Sequence, residues 1–293
     1  MHYRHRAGIF SKSKRRVSAP ITFGDASFQL TTAAERDDYF DHGVTAIPPA
    51  AWVAAAVCAA DATLIDVGAN LGLCAIPFAL TAPSGRVVAV EPGARAAADL
   101  RSSIALNKIS NITVVECALG AEPGTATLLD PTWNASGAFI SHAGNTASEL
   151  HEKNRDVAVV NVAVETIDGL VERLGLQRVD FVKIDVEGYE TAVLAGAQRT
   201  LNQHRPICVI EYNPFTISVM ASQNPLHFLT AMQAQFPYVY AIDAALSVEL
   251  IAGPDAAYGI ANRCYSSGQI CDLICSWSEL ADTFGKRRPV FSS

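Results

Sequence analysis

Between residues 63 and 119 short apolar runs alternate with stretches whose alanine, leucine and arginine content favours helix. "TLIDV" (63–67) predicts a strand, followed by a glycine-bearing turn and a helix around 71–80. "GRVVAVE" (85–91) predicts the next strand, "PGARAAADLRSSIALN" a helix, and "ITVVECAL" (112–119) a third strand. Near-continuous apolar strands in a βαβαβ order predict a parallel sheet covered on both faces. The rhythm breaks over residues 121–165, where "GTATLLD", "GAFIS" and "VAVVNVAVE" predict short strands of a β-rich insertion. It resumes with the helix "TIDGLVERLG", N-capped by Thr166, the strand "DFVKIDV", the helix "YETAVLAGAQRTLNQ" and the strand "PICVIEY" (206–212). A helix near 222–235 and strands near 238–242, 247–251 and 271–275 complete the expected elements.

The longest apolar run, residues 50–60, has 11 residues, against the ~20 that a membrane-spanning helix needs. It predicts a buried helix started by Pro48 and Pro49, and no transmembrane segment is expected. Half of the 293 residues are apolar and 17% are charged, which favours a packed core. The net charge of −7 is uneven: the first 24 residues hold Arg4, Arg6, Lys12, Lys14, Arg15 and Arg16 and no acid. The rest is strongly acidic, which argues against nucleic-acid binding, since phosphate contacts need clustered positive charge. The expected division is a basic N-terminal arm and lead-in (1–45) and one large α/β domain (46–293). Seven scattered cysteines, mostly within apolar patterns, read as reduced core thiols, and a cytoplasmic location is expected.

Three motifs carry candidate chemistry. In "LIDVGANLG" (64–72) a strand ends at Asp66 and a turn with Gly68 and Gly72 opens a helix, where free N–H groups attract a ligand. The G-x-x-x-G spacing lacks the middle glycine of a dinucleotide fingerprint, which disfavours an NAD-dependent dehydrogenase. It suits a nucleoside with an amino-acid tail, whose ammonium Asp66 would attract. Glu91, about 20 residues on at the next strand end, is placed to accept both ribose hydroxyls. "ECALG" (116–120) offers the backbone of Cys117, Ala118 and Leu119 as a frame for an adenine ring, or is an ordinary strand exit.

These motifs, with "VEP", "LN" (106–107), "ETIDGL", "VKIDVEGYE", "LAGA" and "VIEYNP" in this order, resemble the FkbM-type family of S-adenosylmethionine-dependent methyltransferases over roughly residues 62–215. The resemblance implies an α/β fold: a class I methyltransferase, Rossmann-like, three-layer sandwich whose mostly parallel seven-stranded sheet has an antiparallel last strand. It implies methyl transfer, usually to a hydroxyl on a sugar, polyketide or other secondary metabolite. N- or C-methylation and a non-catalytic cofactor-binding partner protein are the alternatives. By motif position Asp66, Gly68, Asn70 and Gly72 fall in the cofactor loop, Glu91 on the ribose and Ala118 by the adenine, while Asn107 is a helix C-cap or a site residue.

In the strand 180–186, Lys183, Asp185 and Glu187 alternate onto one face at the carboxyl edge of the sheet. Charges there are costly unless paired or functional. Asp185 or Lys183 is then the base, or Asp185 and Glu187, with Glu211 as third ligand, hold a divalent cation. The metal-free reading is preferred because Lys183 would repel a cation. Glu190 reads as a helix-dipole partner. Trp133, Asn134, His142 and His151 stand in the insertion, where they would reach an acceptor pocket or simply form its surface. The expected partner is a small-molecule or glycan acceptor, and a homodimer is open through the Cys264–Cys275 segment, which would cover a sheet edge.

Overall fold

The computed structural model describes residues 16–33, 40, 46–131, 138–141, 157–280 and 283–284. Trp133, Asn134, His142 and His151 lie outside them, as do the first fifteen residues of the basic arm.

The described chain begins with an antiparallel hairpin that the hydrophobic pattern did not announce, β1 (Arg16–Phe23) and β2 (Ala26–Ala33). Helix α1 (Pro49–Val57) starts with proline at its first position, as expected. Then come β3 (Thr63–Val67), α2 (Ala75–Thr81), β4 (Arg86–Val90), α3 (Ala94–Leu106) and β5 (Ile112–Val115). The expected strand 112–119 is divided. After Glu116, which turns outward to pair with Arg101, the chain leaves the main sheet, and β6 (Ala118–Leu119) joins another. The insertion supplies β7 (Gly124–Pro131), β8 (Phe139–Ile140) and β9 (Val157–Glu165), which form a small sheet in the order β6-β9-β7-β8.

Helix α4 (Ile167–Arg173) is capped as expected, Gly169 N donating to Thr166 Oγ1 at 2.9 Å. After β10 (Phe181–Ile184) the expected single helix is two, α5 (Glu190–Ala195) and α6 (Gln198–His204), broken at Gly196. A Cβ on Gly196 would stand 2.0 Å from the Gly120 carbonyl oxygen and 3.1 Å from Thr166 Cβ. Three of the sequence motifs therefore meet in a packing contact that only a bare backbone permits. The chain ends with β11 (Ile207–Tyr212), a π-helical turn (Thr216–Met220), α7 (Pro225–Gln235), β12 (Tyr238–Ile242), β13 (Val248–Leu250), α8 (Gly253–Ser267) and β14 (Cys271–Ser276). Helix α8 is absent from the sequence reading, although Pro254 in its first turn and Gly268 just past its end signal its limits.

The main sheet has the order β13-β12-β14-β11-β10-β3-β4-β5. Strands β5, β4, β3, β10 and β11 run parallel, and β14 lies antiparallel to both β11 and β12. This is the expected α/β sandwich with its antiparallel last strand, extended by β13 as an eighth edge strand. One core layer packs α4 to α8 on the face of Ile65, Val67, Val182 and Ile184. The other packs α1 to α3 and the hairpin on the face of Leu64, Phe181 and Val209. From β3 the order runs one way through β4 to β5, and the other way through β10 to β11. The crevice at that reversal, beyond the carboxyl ends of β3 and β10, is where open α/β sheets bind ligands.

The hairpin is held by a polar stripe on α3. Asp99 takes Arg16 Nη2 at 2.5 Å and Thr32 Oγ1 at 2.7 Å, and Ser103 Oγ takes Thr31 N at 3.1 Å. Asn107 exchanges two hydrogen bonds with the Gln29 backbone, at 2.8 and 2.7 Å, and its side chain also donates to Ser103 O. Its role is to end α3 and pin β2.

Candidate active site

The reversal point opens into a cavity of ≈ 350 Å³, within the size range of small-molecule sites. Gly68, Asn70, Glu91, Ala118, Lys183, Asp185, Glu187 and Glu211 all line it. Asp66 and Gly72 are not among the lining residues. Asp66 has no exposed surface, because on β3 it sits beside Lys183 of β10 in register, beneath the loop. Gly72 turns its bare Cα toward α3, where a Cβ would stand 2.7 Å from Leu100 Cδ1. Gly68 lines the cavity, but its Cβ is excluded by protein: it would stand 1.9 Å from the Asp185 carbonyl oxygen. The glycine lets the β3 and β10 loops touch, closing the floor of the cavity.

On the β4 side, Glu91 Oε2 accepts from Asn70 N at 2.9 Å and Oε1 from Gly93 N at 2.8 Å. Two backbone donors fix the plane of this buried carboxylate. Asn70 holds φ 44°, a left-handed conformation that asparagine tolerates, and so aims its N–H at Glu91. The backbone of Cys117, Ala118 and Leu119 forms the adjoining wall where the chain changes sheets.

On the β10 side Lys183 is the hub. Its Nζ lies 3.3 Å from Asp66 Oδ1, 3.2 Å from Asp185 Oδ2 and 3.1 Å from the Gly68 carbonyl oxygen. Burial pushes the ammonium down, but Asp185, Asp66 and Cys74 pull it up, and the balance lies well above the usual lysine value. The three contacts at Nζ favour the ammonium form, which bridges both carboxylates. Burial raises the Asp66 carboxyl and Lys183 opposes that shift, so the pair stands or falls together.

Glu187 has φ 54°, strained for a residue other than glycine or asparagine, and burial beside Asp185 and Glu190 lifts it to about 8. Glu190 is not in its expected dipole role alone. Its Oε1 accepts from Val186 N at 3.2 Å and Gly188 N at 3.1 Å, tying down the loop that carries Glu187. Burial sets it at about 7. Glu211, at the end of β11, stands in register with Asp272 of β14, a carboxyl that burial raises to about 7. Neither Glu190 nor Asp272 was assigned a site role from sequence; Asp272 is separated from Glu211 by 61 positions, so only the sheet order exposes the pairing. Among the described residues no group of three His, Cys, Asp or Glu side chains gathers with the spacing of a metal site, so Asp185, Glu187 and Glu211 do not converge as one.

Residues 66–235 match the model of the methyltransferase FkbM domain, more than half of the chain, and the protein belongs to that family. It is 28% identical over 151 residues to Methyltransferase 1 of Beauveria bassiana, covering 46% of this chain and 58% of that protein. It is 27% identical over 152 residues to the 2-O-methyltransferase NoeI of Sinorhizobium fredii, covering 50% and 61%. The match thus spans about three fifths of the length of these two relatives. A crystal structure of methyltransferase FkbM from Methylobacillus flagellatus aligns with a TM-score of 0.44 at 16% identity, covering 78% of this chain and 48% of that one. No helix of the described residues is long and apolar enough to cross a membrane.

Proposed function

We propose that the protein is an S-adenosylmethionine-dependent O-methyltransferase acting on a hydroxyl of a sugar, glycan, polyketide or other secondary metabolite. The carrying observation is that one cavity joins Glu91, held by two backbone N–H groups, to Asp185, held by Lys183. The fit to the cofactor rests on the donor set. Carboxylates dominate the charged lining, and the cationic hub is already engaged, so a ligand bearing a sulfonium and an ammonium complements the wall. Glu91 lines the cavity as the acceptor for ribose hydroxyls, and Ala118 lines it with Cys117 and Leu119 as the wall for a base. The name of the Sinorhizobium relative supports oxygen as the accepting atom.

When bound, S-adenosylmethionine supplies an electrophilic methyl group whose C–S bonding electrons leave with the sulfur. The chain's part is to hold the acceptor hydroxyl in line and remove its proton. Asp185 is the base in this reading. Its side chain is 39% exposed and lines the cavity, and Lys183 Nζ holds its carboxylate at 3.2 Å. Glu187, on its strained turn, forms the facing wall. The test is in two parts. S-Adenosylhomocysteine is expected to raise the melting temperature of the full chain while NAD leaves it unchanged. Asp185→Asn is expected to retain S-adenosylhomocysteine binding and lose roughly 10²–10⁴-fold in labelled methyl transfer. Full turnover in that variant would remove Asp185 from the reaction.

A further inference from the structure

One carboxylate in the cavity has no task in the scheme above. Glu211 projects from the end of β11, and its Oε2 is enclosed and makes no hydrogen bond among the described residues. Its neighbours across the sheet add no counter-charge. Asp272 is its register partner on β14, and Asp185 follows the last paired residue of β10 on the other side. The ion pairs of Lys183 go to Asp66 and Asp185. An enclosed carboxylate oxygen without a donor is costly, and the opening of Glu211 onto the cavity lets a ligand supply that donor.

The contrast with Glu190 makes the point. That side chain is more deeply buried, yet two backbone N–H groups satisfy it, and it therefore belongs to the scaffold. Glu211 instead faces cavity space beside Asn213 and Ile270, away from the Glu91 end. Asn213 Oδ1 accepts from Phe215 N at 3.1 Å, and no donor reaches Glu211 Oε2 among the described residues. Ile270 is 49% exposed at the rim.

We propose that Glu211 is the acceptor-binding residue of this site: its enclosed oxygen takes a hydrogen bond from a hydroxyl or ammonium of the acceptor, which selects acceptors without negative charge. The proposal rests on the methyltransferase reading and adds to it the charge class of the substrate. Burial, Asp185, Glu187, Glu190 and Asp272 all raise Glu211 well above the usual carboxylate range, the behaviour of a group that lacks its partner. A phosphorylated or carboxylated acceptor would find Lys183 as the one cation among the described lining residues, already paired with Asp66 and Asp185, and carboxyl groups otherwise. A neutral polyol or an amino sugar would meet acceptors for its donors.

The experiment compares the full-length parent with Glu211→Gln and Glu211→Leu in three readouts. Without ligand, both variants are expected to melt about 2 °C or more above the parent, because an unpartnered carboxylate is removed. S-Adenosylhomocysteine affinity by calorimetry is expected to stay within about twofold, since Glu211 lies off the Glu91 end of the cavity. Labelled methyl transfer from S-adenosylmethionine into cell extract split by anion exchange is expected in the unbound, non-anionic fraction, with a loss of roughly tenfold or more in both variants. A fall in melting temperature would make Glu211 scaffold, weaker S-adenosylhomocysteine binding would make it a cofactor residue, and label chiefly in the anionic fraction would refute the selection. Each overturns the proposal. Failure of the parent to bind S-adenosylhomocysteine would instead overturn the methyltransferase reading on which it rests.

Discussion

The two ends of the cavity treat a carboxylate in opposite ways. At the β4 end, Glu91 is buried with both oxygens held by backbone N–H groups. At the β11 end, Glu211 is enclosed with one oxygen unmet. The first arrangement has its orientation, and with it its specificity, set before any ligand arrives. The second leaves hydrogen-bonding capacity for the ligand to fill. A site built this way holds one partner rigidly and leaves latitude for the other. Lys183 stands between the two ends and ties the floor together.

The comparison is broken most severely at its hub. Lys183→Met strands Asp66, which has no exposed surface, and is expected to cost about 3–5 kcal/mol in chemical denaturation. Asp66→Asn in the same chain should recover a good part of that loss, and no recovery would show that the two side chains are not coupled. At the β4 end, Glu91→Gln replaces one acceptor oxygen with a donor that faces backbone N–H groups. It is expected to weaken S-adenosylhomocysteine binding by roughly tenfold or more, equivalent to about 1.5–3 kcal/mol, in calorimetric titration. At the β10–β14 end, pH discriminates. Burial holds Glu187 at about 8 and Glu190 and Asp272 at about 7, all raised. Their contribution to stability is complete below the ordinary carboxylate value near 4 and is lost as pH climbs through 7 to 8. The melting temperature of the ligand-free protein should therefore fall between about pH 5.5 and about pH 8.5, and Glu187→Gln should flatten the slope. The smallest change lies outside the cavity. Asn107→Ala releases the Gln29 backbone and is expected to cost about 1–3 kcal/mol in melting while leaving S-adenosylhomocysteine affinity unaltered.

Where a residue's role follows from its own strand or turn, the sequence was enough. The strand TLIDV, the Thr166 cap and the alternation that turns Lys183 and Asp185 to one side all follow from periodicity and local chemistry. Where the role depends on what lies across the sheet, it was not. Asp66 carries the pattern of a ligand-facing strand end, yet a lysine 117 positions later in register with it takes up its charge. Gly68 and Gly120 sit in motifs that suggest ligand contact, yet Gly68 proves to be a point where two backbones nearly collide, and the Gly120 carbonyl meets Gly196 in the same way. The hairpin escaped because Pro20 and scattered polar residues dilute its alternation, and its stability comes from α3 rather than from its own pattern.

That last attachment works because two different repeats happen to be commensurate. Four residues of helix advance about 6.0 Å, and two residues of strand about 6.6–6.8 Å. Asn107 and Ser103, four apart on α3, therefore reach Gln29 and Thr31, two apart on β2, as rungs of one ladder. The helix acts as a ruler laid beside the strand. Sliding β2 by a single residue would take Gln29 and Thr31 off their marks and swing Phe28 and Leu30 out of the core at the same time, so the ruler tolerates only one reading.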